Sequence, residues 1–514
     1  MSAVQACLHE TTQRPKLHCL LCFPFFAGMV AFLLHLAANP HYGYFRDELY
    51  FIACGRHPAW NYVDQPPVAP LLAAVTQAFG HSLFLLRAVP AAFAGLGIYV
   101  TCLLAMEMGG AVFAQLAASI TVFFIPVLCD FGMKVSPDMV GLWIWPLIAL
   151  YVVRLTKGGN PRLWLWVGVA SGFGILGKYS IIFFLAALAL GLLLTQYRKI
   201  LFTPYFLYAL LICGLIVLPS FLWQVHFGYP MLETLRNTHS GKNVMVGPGT
   251  YLWQQLLLSG FLPAVWMIGL AWLLRKRELR YLGLAYVAMI AIMIALKGKN
   301  YYPFDIYPYL AAAGGVVIER WTAGRPVAQS VVAVALTLLG SLTAPLVLPI
   351  LPEPIEASYL HGFHKAIHVP NGSLESEHVK VAELPTDFTG MHGWPELAAT
   401  VQRVYDSLPS EERREAAVFA RNYSDAGAVE FYTNLPVISG HNNYYLWGPR
   451  GANGNVFICP AWHCGGKENY DSCSGAAVFN VPWTDSNLRG ESILVCRGLK
   501  KPIEEFWPEV KVFQ

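Results

Sequence analysis

The stretch His41-Tyr-Gly-Tyr-Phe-Arg-Asp-Glu-Leu-Tyr50, followed by Trp60-Asn-Tyr-Val-Asp-Gln-Pro-Pro67, sets three adjoining charges, Arg46, Asp47 and Glu48, among aromatic rings. It begins just after an apolar run, 18–38, of a length that crosses a bilayer, since about 20 helical residues match a hydrocarbon core of roughly 30 Å. Paired carboxylates at a membrane surface suit a general base, or a metal ligand beside a base, because a low local dielectric strengthens their hold on a proton. The bland alternative is a charged cluster that marks the water interface. Residues 49–82 favour chemistry: they are too long for a turn and too interrupted for a span. Their aromatics, prolines and the run Val68-Ala-Pro-Leu-Leu-Ala-Ala-Val75 suit short interfacial helices that roof a cavity over the acid pair.

Outward from this loop, the chain reads as a membrane protein. Of its 514 residues 56% are hydrophobic and 13% charged, about half the charge of an ordinary soluble domain. The net charge of +4 offers no basic patch for nucleic acid. Acidic residues number 31, with 20 after residue 351 and 11 before it. The division predicts an all-α polytopic membrane domain, 1–351, followed by a soluble domain, 352–514. About eleven crossings are expected, near 18–38, 86–106, 110–129, 138–154, 163–177, 179–196, 204–223, 251–274, 280–296, 304–319 and 327–350. The first has no small-residue cleavage pattern after Ala38 and reads as a retained anchor. With the N-terminus cytoplasmic, the inner segments hold 13 basic residues against four acids, as the positive-inside tendency requires. An odd number of spans then puts the C-terminal domain, and the Arg46-Asp47-Glu48 loop, outside.

The motifs carry a resemblance. The aromatic Arg-Asp-Glu loop, Asp64-Gln-Pro-Pro67 and Pro70-Leu-Leu72, with Ser136-Pro-Asp138, Gly177-Lys-Tyr179 and Lys297-Gly-Lys-Asn-Tyr-Tyr-Pro303, are similar to the dolichyl-phosphate-mannose:protein mannosyltransferase family. The likeness is to its bacterial branch, which includes the lipid A aminoarabinose transferases. The resemblance implies a GT-C membrane glycosyltransferase that takes a sugar from a polyprenyl-phosphate donor and passes it, with inversion, to an acceptor hydroxyl outside. It points to Asp47 as the base, with Glu48 assisting or binding a metal. The acceptor, whether lipid, glycan or protein, is not specified, because the match weakens beyond residue 351.

Displacement at an anomeric carbon needs a base near the incoming hydroxyl and cations near the departing phosphate. Lys178, Lys297 and Lys299 fall at outer span ends and, with Arg46, are the candidate phosphate ligands. A lysine at a helix end also snorkels for no functional reason; three on the side that should be poor in basic residues argue for more. Tyr44, Asp64, Tyr301 and Tyr302 are expected to line the substrate pocket, although belt aromatics explain either of the last two singly. Asp138 follows Ser136-Pro137, a good helix start, so capping ranks above substrate contact there. His239 lies in an outer loop, 224–250, with His226 and Glu233; the loop could close over a head group. Its spacing matches no recognised ligand set. The sequence assigns no cofactor, and a divalent metal ion is the single candidate.

In the C-terminal domain a helix near 395–408, the strand-like Ala416-Ala-Val-Phe-Ala420, a helical run near 425–433 and Pro436-Val-Ile-Ser439 predict a β-α-β unit. Strands near 455–459, 476–481 and 492–496 complete a small α/β domain, read as a lid or acceptor-recognition module. Ser439-Gly-His-Asn-Asn-Tyr-Tyr445 is a sugar-binding candidate or a packed loop. Cys459, Cys464, Cys473 and Cys496 fit two disulfides in an oxidising compartment better than a zinc site, with three pairings open. The serious rival from another class is a multi-span transporter, but its acids would sit near the bilayer midplane and its halves would repeat. The expected location is the plasma (inner) membrane of a bacterium.

Overall fold

A computed structural model describes residues 17–238, 244, 246–367, 383–460, 464–484 and 488–514. The chain forms two compact units, one of Met1–Asn39, Arg87–Pro219 and Met245–Leu348, the other of Pro40–Leu86, Ser220–Val244 and Pro349–Gln514. The second thus gathers the segment after the first expected crossing with the C-terminal residues.

The first unit is helical, and every expected crossing contains helix. Pro204–His226 shows why these segments belong in lipid: it is apolar, yet only 11% of its central window is buried, leaving Leu207, Leu211, Leu215 and Leu218 exposed. Such a face is stable against acyl chains and not against water. Among the described residues four helices, Leu83–Glu107, Pro137–Thr156, Pro204–His226 and Pro326–Leu346, are long and apolar enough to cross singly. The bent pair Pro263–Arg275 and Arg280–Ala295, at 119°, makes at most a fifth. The expected single span 251–274 is corrected to two helices, Pro248–Leu257 and Pro263–Arg275. Gly260 in the left-handed region, φ +62°, and Pro263, which lacks an N–H, interrupt the ladder.

Where hydrocarbon supplies no hydrophobic drive between helices, close backbone approach holds them. Pro263–Arg275 packs on Tyr307–Trp321 through glycines at the crossing. A Cβ on Gly269 would lie 2.0 Å from the Leu310 carbonyl oxygen, and one on Gly314 2.1 Å from that of Val265.

In the second unit five strands, β1 Ala416–Phe419, β2 Val437–Ile438, β3 Val456–Cys459, β4 Tyr470–Phe479 and β5 Glu491–Leu499, form one sheet in the order β2-β1-β3-β5-β4. β1 runs parallel to β2 across the helix Tyr423–Tyr432, the expected β-α-β unit, and parallel to β3. β5 is antiparallel to both β3 and β4. β4 starts earlier than the expected 476–481 because Tyr470, buried against Phe457 and Phe506, anchors its first residue. Disulfides join Cys459 to Cys464 and Cys473 to Cys496. Cys473 and Cys496 are directly paired across β4 and β5. The sulfurs of Cys459, Cys464 and Cys496 lie within 4.8 Å of one another, a grouping that as thiolates would suit a metal, but bonded as disulfides they have no thiolate to offer.

Candidate functional site

The candidate residues fall into two groups, one in each unit. In the second unit the helix Arg46–Arg56 carries the acid pair in its first turn, where the positive end of the helix dipole favours carboxylates. The two acids are used differently. Glu48 is fully buried, and its Oε2 accepts the Phe45 N–H at 2.8 Å, the reach-back bond of a capping box. Asp47 is part-exposed and its Oδ1 accepts the Tyr423 hydroxyl at 2.9 Å, with Arg46 Nε 3.7 Å from the same oxygen. The Arg46 backbone N–H donates to the Gly390 carbonyl, and its guanidinium lies over the Phe45 ring. Tyr44 is buried, ring to ring with Phe431 at 4.9 Å.

Asp64 is brought to the same helix. Its Oδ1 accepts the Tyr50 phenol at 2.9 Å, while Tyr50 accepts the Asn443 N–H at 3.3 Å and Asn443 Oδ1 accepts the Val63 N–H at 2.7 Å. Asn442 and Asn443 are both buried, and Asn442 bonds the chain end, donating to the Gln514 carbonyl. The polar segment 439–445 is therefore a packed loop: its amides are committed to protein groups rather than presented to a sugar. In the loop after residue 224, Glu233 pairs with Lys511 at 2.7 Å. His239 lies outside the described residues.

The second group is in the first unit. Lys178 follows the helix Leu163–Gly177, where its ammonium pairs with the Asp138 carboxylate. That contact replaces the expected cap, because the short 3-10 helix Pro137–Val140 has no side-chain cap bond. The ammonium also lies 4.5 Å from the Tyr302 ring centroid and 4.9 Å from that of Tyr301, with Lys299 5.8 Å from Tyr301. The rings supply cation–π attraction of about 0.5–2 kcal/mol, larger when desolvated. Lys297 stands apart: it is exposed at φ +51° and makes no side-chain bond among the described residues.

Asp305 joins this group without any sequence signal. It is buried, with Asp138 and Lys178 as its charged neighbours. Its carboxyl lies so close to Gly141 that a Cβ there would be 2.0 Å from Oδ2. Its Oδ1 has no hydrogen-bond partner among the described residues. The backbone beneath Lys299 is braced from the broken helix: Tyr251 donates to the Lys299 carbonyl at 3.1 Å and Gln255 to the Asn300 carbonyl at 2.7 Å. Tyr307 donates to Gln255 Oε1 at 2.9 Å. Tyr423, Asp305 and Gln255 are thus residues that the sequence did not assign to the site, whereas Asn443 belongs to the segment expected to be a sugar-binding candidate or a packed loop.

The comparisons with known proteins agree with the resemblance. Residues 64–223 match the family model described as dolichyl-phosphate-mannose-protein mannosyltransferase. No curated protein matches the chain in sequence. Among solved structures the chain is similar to ArnT from Cupriavidus metallidurans bound to undecaprenyl phosphate. The TM-score is 0.60 and the identity 13%, over 92% of this chain and 97% of that one. The apo state of the same protein gives 0.57 and 14%, over 92% and 97%. An Archaeoglobus fulgidus oligosaccharyltransferase solved with Zn and sulfate gives 0.48 and 13%, over 92% and 73%. At such identities the two ArnT likenesses establish the fold, a helical membrane domain of GT-C type with a small C-terminal sheet domain. The chain is a multi-pass membrane protein, and none of these comparisons points to a transporter.

Proposed function

We propose that this protein is an integral-membrane glycosyltransferase that moves a sugar from a polyprenyl-phosphate donor to an acceptor hydroxyl, with inversion. The observation that carries the reading is the match of residues 64–223 to a mannosyltransferase family. The likeness of the whole chain to ArnT, a protein solved with undecaprenyl phosphate, supports the prenyl carrier. In this reading the protein lies in the bacterial inner membrane, its N-terminus cytoplasmic and about eleven spans leaving the chemistry on the outer face.

The reaction divides between the two groups of residues. Asp47 takes the proton of the acceptor hydroxyl as its oxygen attacks the anomeric carbon on the face opposite the phosphate. The bond from that carbon to the phosphate oxygen breaks, and its electron pair leaves on the prenyl phosphate. Lys178 and Lys299, with Arg46 and Lys297 as further candidates, offset that charge. Tyr301, Tyr302, Tyr44, Asp64, Asp138 and His239 are the pocket candidates. Supporting Asp47 over Glu48 as the base is its partial exposure, set against a Glu48 carboxylate committed to the Phe45 N–H. A divalent metal remains a candidate cofactor with no assigned ligands.

Asp47→Asn keeps shape and removes basicity, so transfer should fall by at least about 100-fold while the protein stays folded. Unaltered turnover in that variant would reject the assignment. Mass spectra of lipids and glycans from cells with and without the protein would identify the sugar and the acceptor.

A further inference from the structure

The hydrogen bond from Tyr423 to Asp47 spans 376 residues of sequence, and both ends are held independently of it. Tyr423 opens the helix Tyr423–Tyr432, which starts where Asn422 Oδ1 accepts the N–H groups of Ser424 and Asp425, each at 2.9 Å. Its ring packs against those of Tyr50 and His441, with centroids 4.6 Å and 4.9 Å away. The helix packs directly on Arg46–Arg56. At the contact a Cβ on Gly427 would lie 3.0 Å from the Leu49 carbonyl carbon, a fit so tight that any side chain there would make the neighbouring backbone give way by a few tenths of an ångström. The phenol is therefore placed by packing and not by the carboxylate it meets.

We propose that Tyr423 is a positioning residue for Asp47 in sugar transfer: its hydroxyl holds Oδ1 and leaves Oδ2 to receive the acceptor proton. This rests on the reading of Asp47 as base. The phenol's hydrogen bond to the Asp47 carboxylate falls on Oδ1, the oxygen that also lies 3.7 Å from Arg46 Nε, and Oδ2 accepts no hydrogen bond among the described residues. A carboxylate otherwise turns in a broad two-fold well, and a base that turns spends part of its time misaligned with the hydroxyl it must deprotonate. The C-terminal domain then has a part in the reaction centre itself, beyond acceptor recognition or lid closure.

The test uses full-length protein in detergent with undecaprenyl-phosphate mannose, glucose and aminoarabinose as donors and a total lipid extract as acceptor, following release of undecaprenyl phosphate. Tyr423→Phe keeps the ring stack and removes the hydroxyl, so kcat should drop about 10- to 100-fold with KM for the donor unchanged and the thermal midpoint preserved. The same substitution in Asp47→Asn protein should cost nothing further. If Asp47→Asn matches wild type, the base assignment falls. If Asp47→Asn is inactive and Tyr423→Phe matches wild type, this inference falls while the base assignment stands. Should no donor turn over, carbodiimide labelling of Asp47 read by peptide mass spectrometry gives the answer. Loss of the phenol should speed labelling severalfold, and an unchanged rate overturns the proposal.

Discussion

The Tyr50 hydroxyl donates to Asp64 Oδ1 at 2.9 Å across 14 residues, joining the two motifs of the first loop into one polar knot. Tyr50 also accepts the Asn443 N–H, so one phenol serves both the loop and the C-terminal residues. Tyr50→Phe removes both bonds and strands a buried donor, which should destabilise the protein by about 1–3 kcal/mol. Chemical denaturation in detergent checks this, and a change under about 0.5 kcal/mol, the lower end for one net hydrogen bond, would show the knot to be incidental.

The glycine at 427 makes a sharper test of the same interface. Gly427→Val places two further methyl groups against the Leu49 and Tyr50 backbone, where nothing flexible can give way. Overpacking of this kind costs about 1–3 kcal/mol, and the helices can relieve it only by separating. Both the thermal midpoint and the transfer rate should fall together; retention of both would mean that the approach is looser than described.

Gln255 braces the Lys299-Asn300 backbone from a buried position. Gln255→Leu should raise KM for a polyprenyl-phosphate donor about tenfold, because roughly 1.4 kcal/mol of lost lysine placement is a factor of ten. The effect should vanish in a Lys299→Met background, where no ammonium is left to place. Equal losses in both backgrounds would assign Gln255 to folding alone.

Glu356, beyond the last expected span, is fully buried and both its carboxylate oxygens lack a hydrogen-bond partner among the described residues. Burial raises its carboxyl to about 7, against about 4.3 in an unfolded chain. Through this window the folded protein keeps a proton that the unfolded chain has released. Stability is therefore greatest below the unfolded value and declines as pH rises toward 7. Thermal midpoints measured from pH 4.5 to 8 should show that decline in wild type and a shallower one in Glu356→Gln; parallel curves would count against it.

Much of the architecture could be read along the chain because its causes are local or additive. Hydropathy over about 20 residues located helices in every expected crossing, and apolar alternation flanked by turn residues placed all five strands near their positions. The disulfide partners were countable but not pairable, since four cysteines allow three connectivities. The break at Leu258–Leu262 went unread because Gly260 and Pro263 occur within an apolar run whose average hydropathy hides them.

The sequence alone determined the membrane character, the acid pair after the first apolar run and the lysines at the ends of apolar runs, for these follow from composition, spacing and the cost of burying charge. Tertiary structure alone decided which acid has an open oxygen. Asp47 meets Tyr423, and Tyr50 meets Asn443, through separations of 376 and 393 residues that leave no periodic trace. The same holds for Asp305, whose carboxyl fits only because Gly141 has no side chain to exclude it. Contacts of that kind arise from packing complementarity between distant surfaces, which no run of neighbouring residues encodes.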